Sequence, residues 1–385
     1  MTDPTGCTRV AVVGYGYWGS KHVRVLSTLP GVEVMVVDAD DDRLAEAAAQ
    51  YPAAERCRSL DYALDRVHAV VVAAPPGSHA ELARTALSAG RHTLVEKPLT
   101  TSVEDAEDLV DLSRRSGALL MTGHTFEYNP AVWKLKEVVR SGELGRVLYI
   151  DAQRLSLGRY QADVDVVWDL APHDISIVSF LLDEMPSAAS VWAKRNLGVR
   201  HSDMAYLRLD FETARTHAFV HVSWLNPRKV RTITVIGERK MAVYDDMSDN
   251  ERIRIYDIGV DPACIDDPSA AHSVPMTYRT GDIVSPFVPF REPLLVQDQH
   301  FIDCVRTGAE CRTPGERGLD VVRVLSAADR ATMLGEPVRV RDFRSHQRCA
   351  RQPARPTHRD RRAPQDRRGR VAVRGRRRGL RAAPP

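Results

Sequence analysis

The chain has 385 residues, 43% of them hydrophobic, with a formal net charge of +3. That is enough for two domains of roughly 100–200 residues each with a sizeable core. No run reaches the roughly 20 uninterrupted apolar residues of a membrane span. No basic-then-apolar leader precedes the first strand. The six cysteines (Cys7, Cys57, Cys264, Cys304, Cys311, Cys349) include no C-x-x-C spacing. A membrane protein, a secreted disulfide scaffold and a metal module are therefore not expected, and a reducing cytoplasm is.

Arg9–Val13 is a continuous apolar run, read as a strand. It enters Gly14-Tyr15-Gly16-Tyr17-Trp18-Gly19, a G-x-G-x-x-G turn opening a helix over about Tyr17–Thr28. In such a turn Gly14 permits the tight bend, Gly16 lets the backbone approach a pyrophosphate, and Gly19 lets the helix pack on the strand. A second strand, Val32–Val37, ends at Asp38, where a carboxylate accepts the ribose hydroxyls of NAD and repels a 2′-phosphate. The cofactor expected is NAD. Tyr17, Trp18, Pro75, Glu96 and Lys97 are expected to join Gly14, Gly16, Gly19 and Asp38 around it.

A helix over Asp42–Gln50 follows, then a strand at Ala69–Ala73 entering the loop Ala74-Pro75-Pro76-Gly77-Ser78. His79–Ala89 is helical and stops at Gly90; His79 itself is given no catalytic role. His92–Val95 is a strand leading into Glu96-Lys97-Pro98. Val103–Ser116 is a helix and Ala118–Thr122 a strand. Alternating βα units imply a doubly wound parallel sheet, with ligands at the C-terminal strand ends.

After Gly123 the pattern changes. Ala131–Ser141 is helical, Arg146–Leu157 a long strand and Val166–Leu182 a helix. Strand-like runs follow at Ser190–Asn196, Met204–Phe211, Thr216–Leu225, Val230–Ile236, Met241–Tyr244 and Arg252–Tyr256. Short turns between them predict an open, mostly antiparallel sheet. Pro293–Arg306 and Pro314–Leu334 close the body as helices. The fold class expected is thus α/β followed by α+β. Residues 1–123 form a dinucleotide-binding Rossmann domain and 124–340 a substrate-binding and oligomerisation domain.

Residues 345–385 are a different material. They hold fourteen Arg, no Lys and two Asp, a net +12 that leaves −9 on the rest. With no apolar periodicity, and no aromatic among the arginines on which bases could stack, this tail is expected to be disordered and not to bind nucleic acid.

Asp169 and His173 are four apart, so one face of the Val166–Leu182 helix carries both. A His beside a carboxylate can shuttle a proton near neutral pH. A surface i,i+4 pair would look the same in sequence. The combination of Gly14-x-Gly16-x-x-Gly19, Glu96-Lys97-Pro98 and Asp169-x-x-x-His173-Asp174, in that order, resembles the Gfo/Idh/MocA oxidoreductases over roughly residues 8–340. The resemblance implies that Lys97 and His173 serve the reacting hydroxyl or ketone, with Asp169 as third member. It also implies a cis peptide at Lys97-Pro98. The segment Gly123–Pro130 resembles the sugar- and nucleotide-sugar-acting branch, which makes His124, Tyr128 and Asn129 candidate substrate contacts. Asp169 is expected to orient His173 and to stabilise its charged form.

The function this implies is hydride transfer between a secondary hydroxyl or ketone of a sugar or aminosugar and NAD. The substrate could be free, nucleotide-linked or part of an aminoglycoside, in a setting such as antibiotic-sugar biosynthesis. Direction stays open, so a ketosugar reductase is equally compatible. A non-catalytic dinucleotide sensor on the same fold is the alternative, and intact Lys97, Asp169 and His173 argue against it. A homodimer or homotetramer is expected, because open sheets in this family commonly face a partner subunit.

Overall fold

The structure is a computed structural model that describes residues 6–343 apart from 159, 162, 199 and 261–277. The Arg-rich tail from Ser345 lies outside the described residues.

The first sheet collects β1 (Thr8–Val13), β2 (Val32–Val37), β3 (Glu55–Cys57), β4 (Ala69–Val72), β5 (His92–Glu96) and β6 (Leu120–Gly123). Their order is β3-β2-β1-β4-β5-β6 and every pairing is parallel. The Val-rich runs of β1 and β4 are buried almost throughout. Such strands are covered on both faces, here by α1 (Tyr17–Leu26), α2 (Asp41–Gln50), α3 (Leu60–Leu64), α4 (His79–Ser88) and α5 (Val103–Ser116). Helix starts follow local chemistry. The Asp40 carboxylate accepts from the Asp42 and Arg43 amides, and Ser102 Oγ accepts from the Asp105 amide. Gly117, in the left-handed region, ends α5.

The second half contains α6 (Pro130–Arg140), β7 (Val147–Leu155), α7 (Val166–Leu182), β8 (Ala188–Lys194), β9 (Met204–Phe211), β10 (Thr216–Ser223), β11 (Val230–Gly237), β12 (Met241–Asp245), β13 (Ile253–Val260) and β14 (Tyr278–Val284). It ends with α8 (Pro293–Thr307), α9 (Gly315–Leu334) and β15 (Val338–Arg339). The nine strands lie in the order β14-β13-β12-β11-β7-β10-β9-β8-β15. All pairs are antiparallel except β7 with β10. Along β9 and β10 buried and open residues alternate, so one face packs on α7 and the other stays open.

Helices α8 and α9 pack back against α1 and α5, and the described residues make one compact unit. Four elements, three of them short, escape the sequence reading. β3 and β15 have three and two residues. α3 has five. β14 is exposed along its whole length and so shows no hydrophobic alternation.

Candidate active site

The G-x-G-x-x-G turn is built as its glycines require. Gly14 has φ +91°, and a Cβ there would lie 2.9 Å from the Ala73 carbonyl oxygen. A Cβ on Gly19 would lie 1.7 Å from the Gly14 carbonyl oxygen, so only glycine lets α1 seat on β1. At Gly16 the nearest atom to an added Cβ is Arg43 Nη1 at 4.0 Å, leaving backbone open to a ligand. A groove of about 940 Å³ runs from here past Tyr17, Trp18, Pro75 and Glu96 to Lys97 and Asp169. Its volume suits a dinucleotide.

Asp38 stands at the end of β2, nearly buried. Its carboxylate accepts from the Tyr15 amide at 2.6 Å and the Asp40 amide at 2.9 Å. Arg43 Nη1 lies 3.5 Å away. Arg43 also lines the groove and is a residue the sequence reading missed. Its signal was its place in the first turn of α2, five residues past Asp38.

Behind the groove, His22 of α1 is fully buried. Its Nε2 lies 2.9 Å from Glu96 Oε1, and its Nδ1 lies 3.0 Å from both Asp298 oxygens. Burial alone would lower its pKa; Asp298 and Glu96 outweigh that and push it up to about 10. The imidazolium thus bridges two carboxylates. Glu96 Oε2 also accepts from the Lys97 amide at 3.2 Å. Glu96 therefore anchors the loop that carries Lys97, while still lining the groove. His79 lies within 2.8 Å of the Pro98 and Ala74 carbonyl oxygens, tying together the loops after β4 and β5. The Lys97-Pro98 peptide is cis, as expected.

Lys97 Nζ donates to the Asp169 carbonyl oxygen at 2.6 Å and to Asp169 Oδ1 at 3.2 Å. Asp169 Oδ2 accepts from Trp224 Nε1 at 3.0 Å. This corrects the expected pairing. Both oxygens of Asp169 are engaged, and no hydrogen bond joins it to His173 among the described residues. Helical spacing put the two on one face, but the carboxylate turns to Lys97, which arrives from another element.

His173 faces a second cavity of about 140 Å³ that shares Trp18, Lys97 and Asp169 with the groove. Burial, then the charges of Lys97, Arg154 and Arg231, hold its pKa well below the usual value. The ring is neutral at pH 7. A neutral ring has a lone pair free to accept a proton, unlike the charged group expected from an Asp169 contact.

The three proposed substrate contacts are interior residues, which is a second correction. Asn129 caps α6, its Oδ1 accepting from the Ala131 amide, and donates from Nδ2 to Tyr244 Oη at 2.9 Å. Tyr128 is buried, with its hydroxyl 3.0 Å from Thr313 Oγ1. His124 is buried, with no hydrogen-bond partner on either ring nitrogen among the described residues, and burial lowers its pKa to about 3. The polar segment before Pro130 reads as a loop in sequence, yet it folds inward as a short turn against α7 and α8.

His300, Cys304 and Cys311 bring ligand-capable atoms within 4.8 Å of one another. Spacing hid this cluster, because Cys311 returns only after the turn at Gly308. The Arg312 amide donates to His300 Nε2 at 3.1 Å, so that lone pair is already engaged.

Residues 8–124 match the model of the Gfo/Idh/MocA oxidoreductase family with its NAD-binding Rossmann fold, and residues 132–243 match the Gfo/Idh/MocA C-terminal domain. The chain belongs to this family. It is 32% identical over 185 residues to the UDP-N-acetylglucosamine 3-dehydrogenase of Acidithiobacillus ferrooxidans, covering 46% of this chain and 55% of that protein. It is 33% identical over 202 residues to inositol 2-dehydrogenase 2 of Saccharopolyspora erythraea, covering 50% and 59%. The chain thus spans little more than half the length of these relatives. The crystal structure of GenD2 from gentamicin A biosynthesis, in complex with NAD, matches with TM-score 0.72 and 25% identity over 86% of this chain and 96% of that one. The matched family domain is an NAD-binding Rossmann fold, and the residues here fit NAD: a cradle only glycine can form, open backbone at Gly16 and a carboxylate at the end of β2. No described helix is long and apolar enough to cross a membrane.

Proposed function

We propose that the protein is an NAD-dependent dehydrogenase of a secondary hydroxyl on a sugar or aminosugar, free, nucleotide-linked or within an aminoglycoside. The observation that carries this is the meeting of groove and cavity at Lys97, with a neutral His173 on the cavity side. NAD, when bound, supplies the hydride acceptor. His173 takes the hydroxyl proton as the carbon gives up its hydride. The Lys97 ammonium stabilises the charge developing on that oxygen. Asp169 holds Lys97 and acts through it. The same groups in reverse reduce a ketone. In this reading residues 1–123 serve the nucleotide and 124–340 the substrate.

The names of the A. ferrooxidans and S. erythraea relatives support a sugar or polyol substrate, and GenD2 supports an antibiotic-sugar setting. The proposal includes a cytoplasmic setting, supported by Cys57, Cys304 and Cys311 being thiols. It also includes a homodimer or homotetramer built on the open sheet face. There Trp192, Tyr206, Phe219 and Tyr149 are 58%, 47%, 41% and 41% exposed, an apolar patch of the kind that marks an interface. The deciding experiment screens aminosugars, nucleotide sugars and aminoglycosides for NADH formation and follows single-turnover reduction of bound NAD. Tight NAD binding with no reduction by any of them would favour the sensor instead.

A further inference from the structure

The small cavity beside His173 is unusually cationic. Lys97, Arg154, Lys229 and Arg231 line it, against the single carboxylate of Asp169. Two of these cations sit where a sheet would not ordinarily put them. Arg154 on β7 and Arg231 on β11 are direct cross-strand partners. Like charges directly opposite destabilise an antiparallel pair. Both guanidinium groups also converge on one ring, lying 4.4 Å and 5.7 Å from the centre of Phe126, which packs edge-on against His173 at 5.0 Å. Lys229 stands immediately before β11 and lines the same cavity.

The nearby acids leave a surplus. Asp169 is spent on Lys97. Asp174 is spent on Arg154 through two bonds of 2.9 Å, both side chains buried. Asp246 lies 3.1 Å from Arg231 but also 3.7 Å from Arg252, and so is shared between two cations. Lys229 is exposed and has no ion-pair partner among the described residues. Between one and two positive charges therefore face the cavity uncompensated, one on Lys229 and part of another on Arg231. The depressed basicity of His173, caused after burial by Lys97, Arg154 and Arg231, reports the same field.

We propose that the substrate carries an anionic substituent, a carboxylate or a phosphoryl group, seated against Lys229 and Arg231 while its hydroxyl faces His173 and Lys97. This rests on the dehydrogenase reading and narrows it. Sugar acids and phosphorylated or nucleotide-linked sugars are favoured. A sugar with a free ammonium group is disfavoured by the field that would hold the anion.

The test uses the full chain with NAD and a hexose series matched in ring but differing in charge: neutral hexose, its uronate, its phosphate, its nucleoside diphosphate conjugate and its free amine. The anionic members should exceed the neutral and amino members in kcat/KM, and the uronate and phosphate arms separate the two anion sources. Lys229→Ala, an exposed change, should raise KM for the preferred anion roughly 10–100-fold with kcat largely kept, the size of a lost charged hydrogen bond. Calorimetric binding of the same sugars to the NADH-loaded protein gives a readout independent of turnover. Equal binding of neutral and anionic sugars, or an unchanged KM in Lys229→Ala, would overturn the proposal. Anionic sugars that bind through Lys229 yet never reduce NAD would uphold the anion site and strike the dehydrogenase reading alone.

Discussion

Replacing Asp38 with Ser should reverse or nearly abolish a preference for NADH over NADPH, and the structure sets the size of the effect. The carboxylate that would accept the ribose hydroxyls is lost; charged hydrogen bonds contribute roughly 1.5–3 kcal/mol each, so NADH should bind about 10–100-fold more weakly. The same carboxylate would lie about 5 Å from a 2′-phosphate. There the repulsion is ~3 kcal/mol per unit charge at an effective dielectric of about 20, and ~1 kcal/mol if the groove mouth is fully wet. Its removal strengthens NADPH binding by about 5- to 150-fold. Arg43, now 3.5 Å from Asp38, is released to meet the phosphate. One cost is local: the Tyr15 and Asp40 amides lose their acceptor, and a single Ser hydroxyl cannot replace both oxygens. The Kd of each cofactor by fluorescence titration, with a melting curve for the variant, measures the effect. In the double variant with Arg43→Ala the gain for NADPH should shrink, which a mutant cycle isolates. Wild-type protein that binds NADPH as tightly as NADH would refute the reasoning about Asp38.

His173→Ala should lower kcat by about 10²–10⁴-fold while NAD affinity persists, checked by turnover and titration. Because His173 is neutral well below its usual pKa, the acid limb of the pH–rate profile should lie below pH 6.5, and a limb at or above that value would contradict the assignment. Lys97→Met should cost kcat, Asp169→Asn should cost less, and neither loss should multiply fully with His173→Ala, since Lys97 and His173 serve one oxygen and Asp169 acts through Lys97. His22 has a folded pKa of about 10, above its unfolded value, so its contribution to stability is fully present below pH 6.5 and lost as pH rises through about 10. Burial raises the pKa of Asp298 despite His22, so the pair contributes less than the His22 shift alone suggests. Denaturation curves from pH 6 to 10 should therefore fall for the wild type and flatten for His22→Gln.

Much of the fold was legible because the signals were local. Val-rich runs, a glycine turn and Asp or Ser caps specify β1, α1, α2 and α5 within a dozen residues each. In the second sheet a strand such as Met204–Phe211 alternates cleanly. What stayed hidden depends on chain return. His22, Glu96 and Asp298 meet across 276 residues of sequence, and nothing near Asp298 announces a histidine partner. Asn129 and Tyr128 look like loop residues available to a substrate, yet each has an internal partner contributed by a distant element, Tyr244 and Thr313. Arg154 and Arg231 read as ordinary strand arginines until the register of β7 against β11 sets them face to face.

The altered partner of Asp169 changes the logic of the site. Had the carboxylate paired with His173, it would have favoured the imidazolium, and a protonated ring cannot accept a proton. By turning to Lys97 it steadies the one group whose positive charge is useful to a developing alkoxide. Burial first, and then the positive charges of Lys97, Arg154 and Arg231, favour the neutral form of His173. In the proposed reaction these two neighbouring groups divide the work, Lys97 as ammonium donor and His173 as uncharged base. Oxidation of an alcohol needs that division, since the oxygen must lose its proton to one group while its growing charge is met by the other. The helical spacing of Asp169 and His173 still matters: it puts the lysine's anchor and the proposed base one turn apart on α7, beside the cavity that both line.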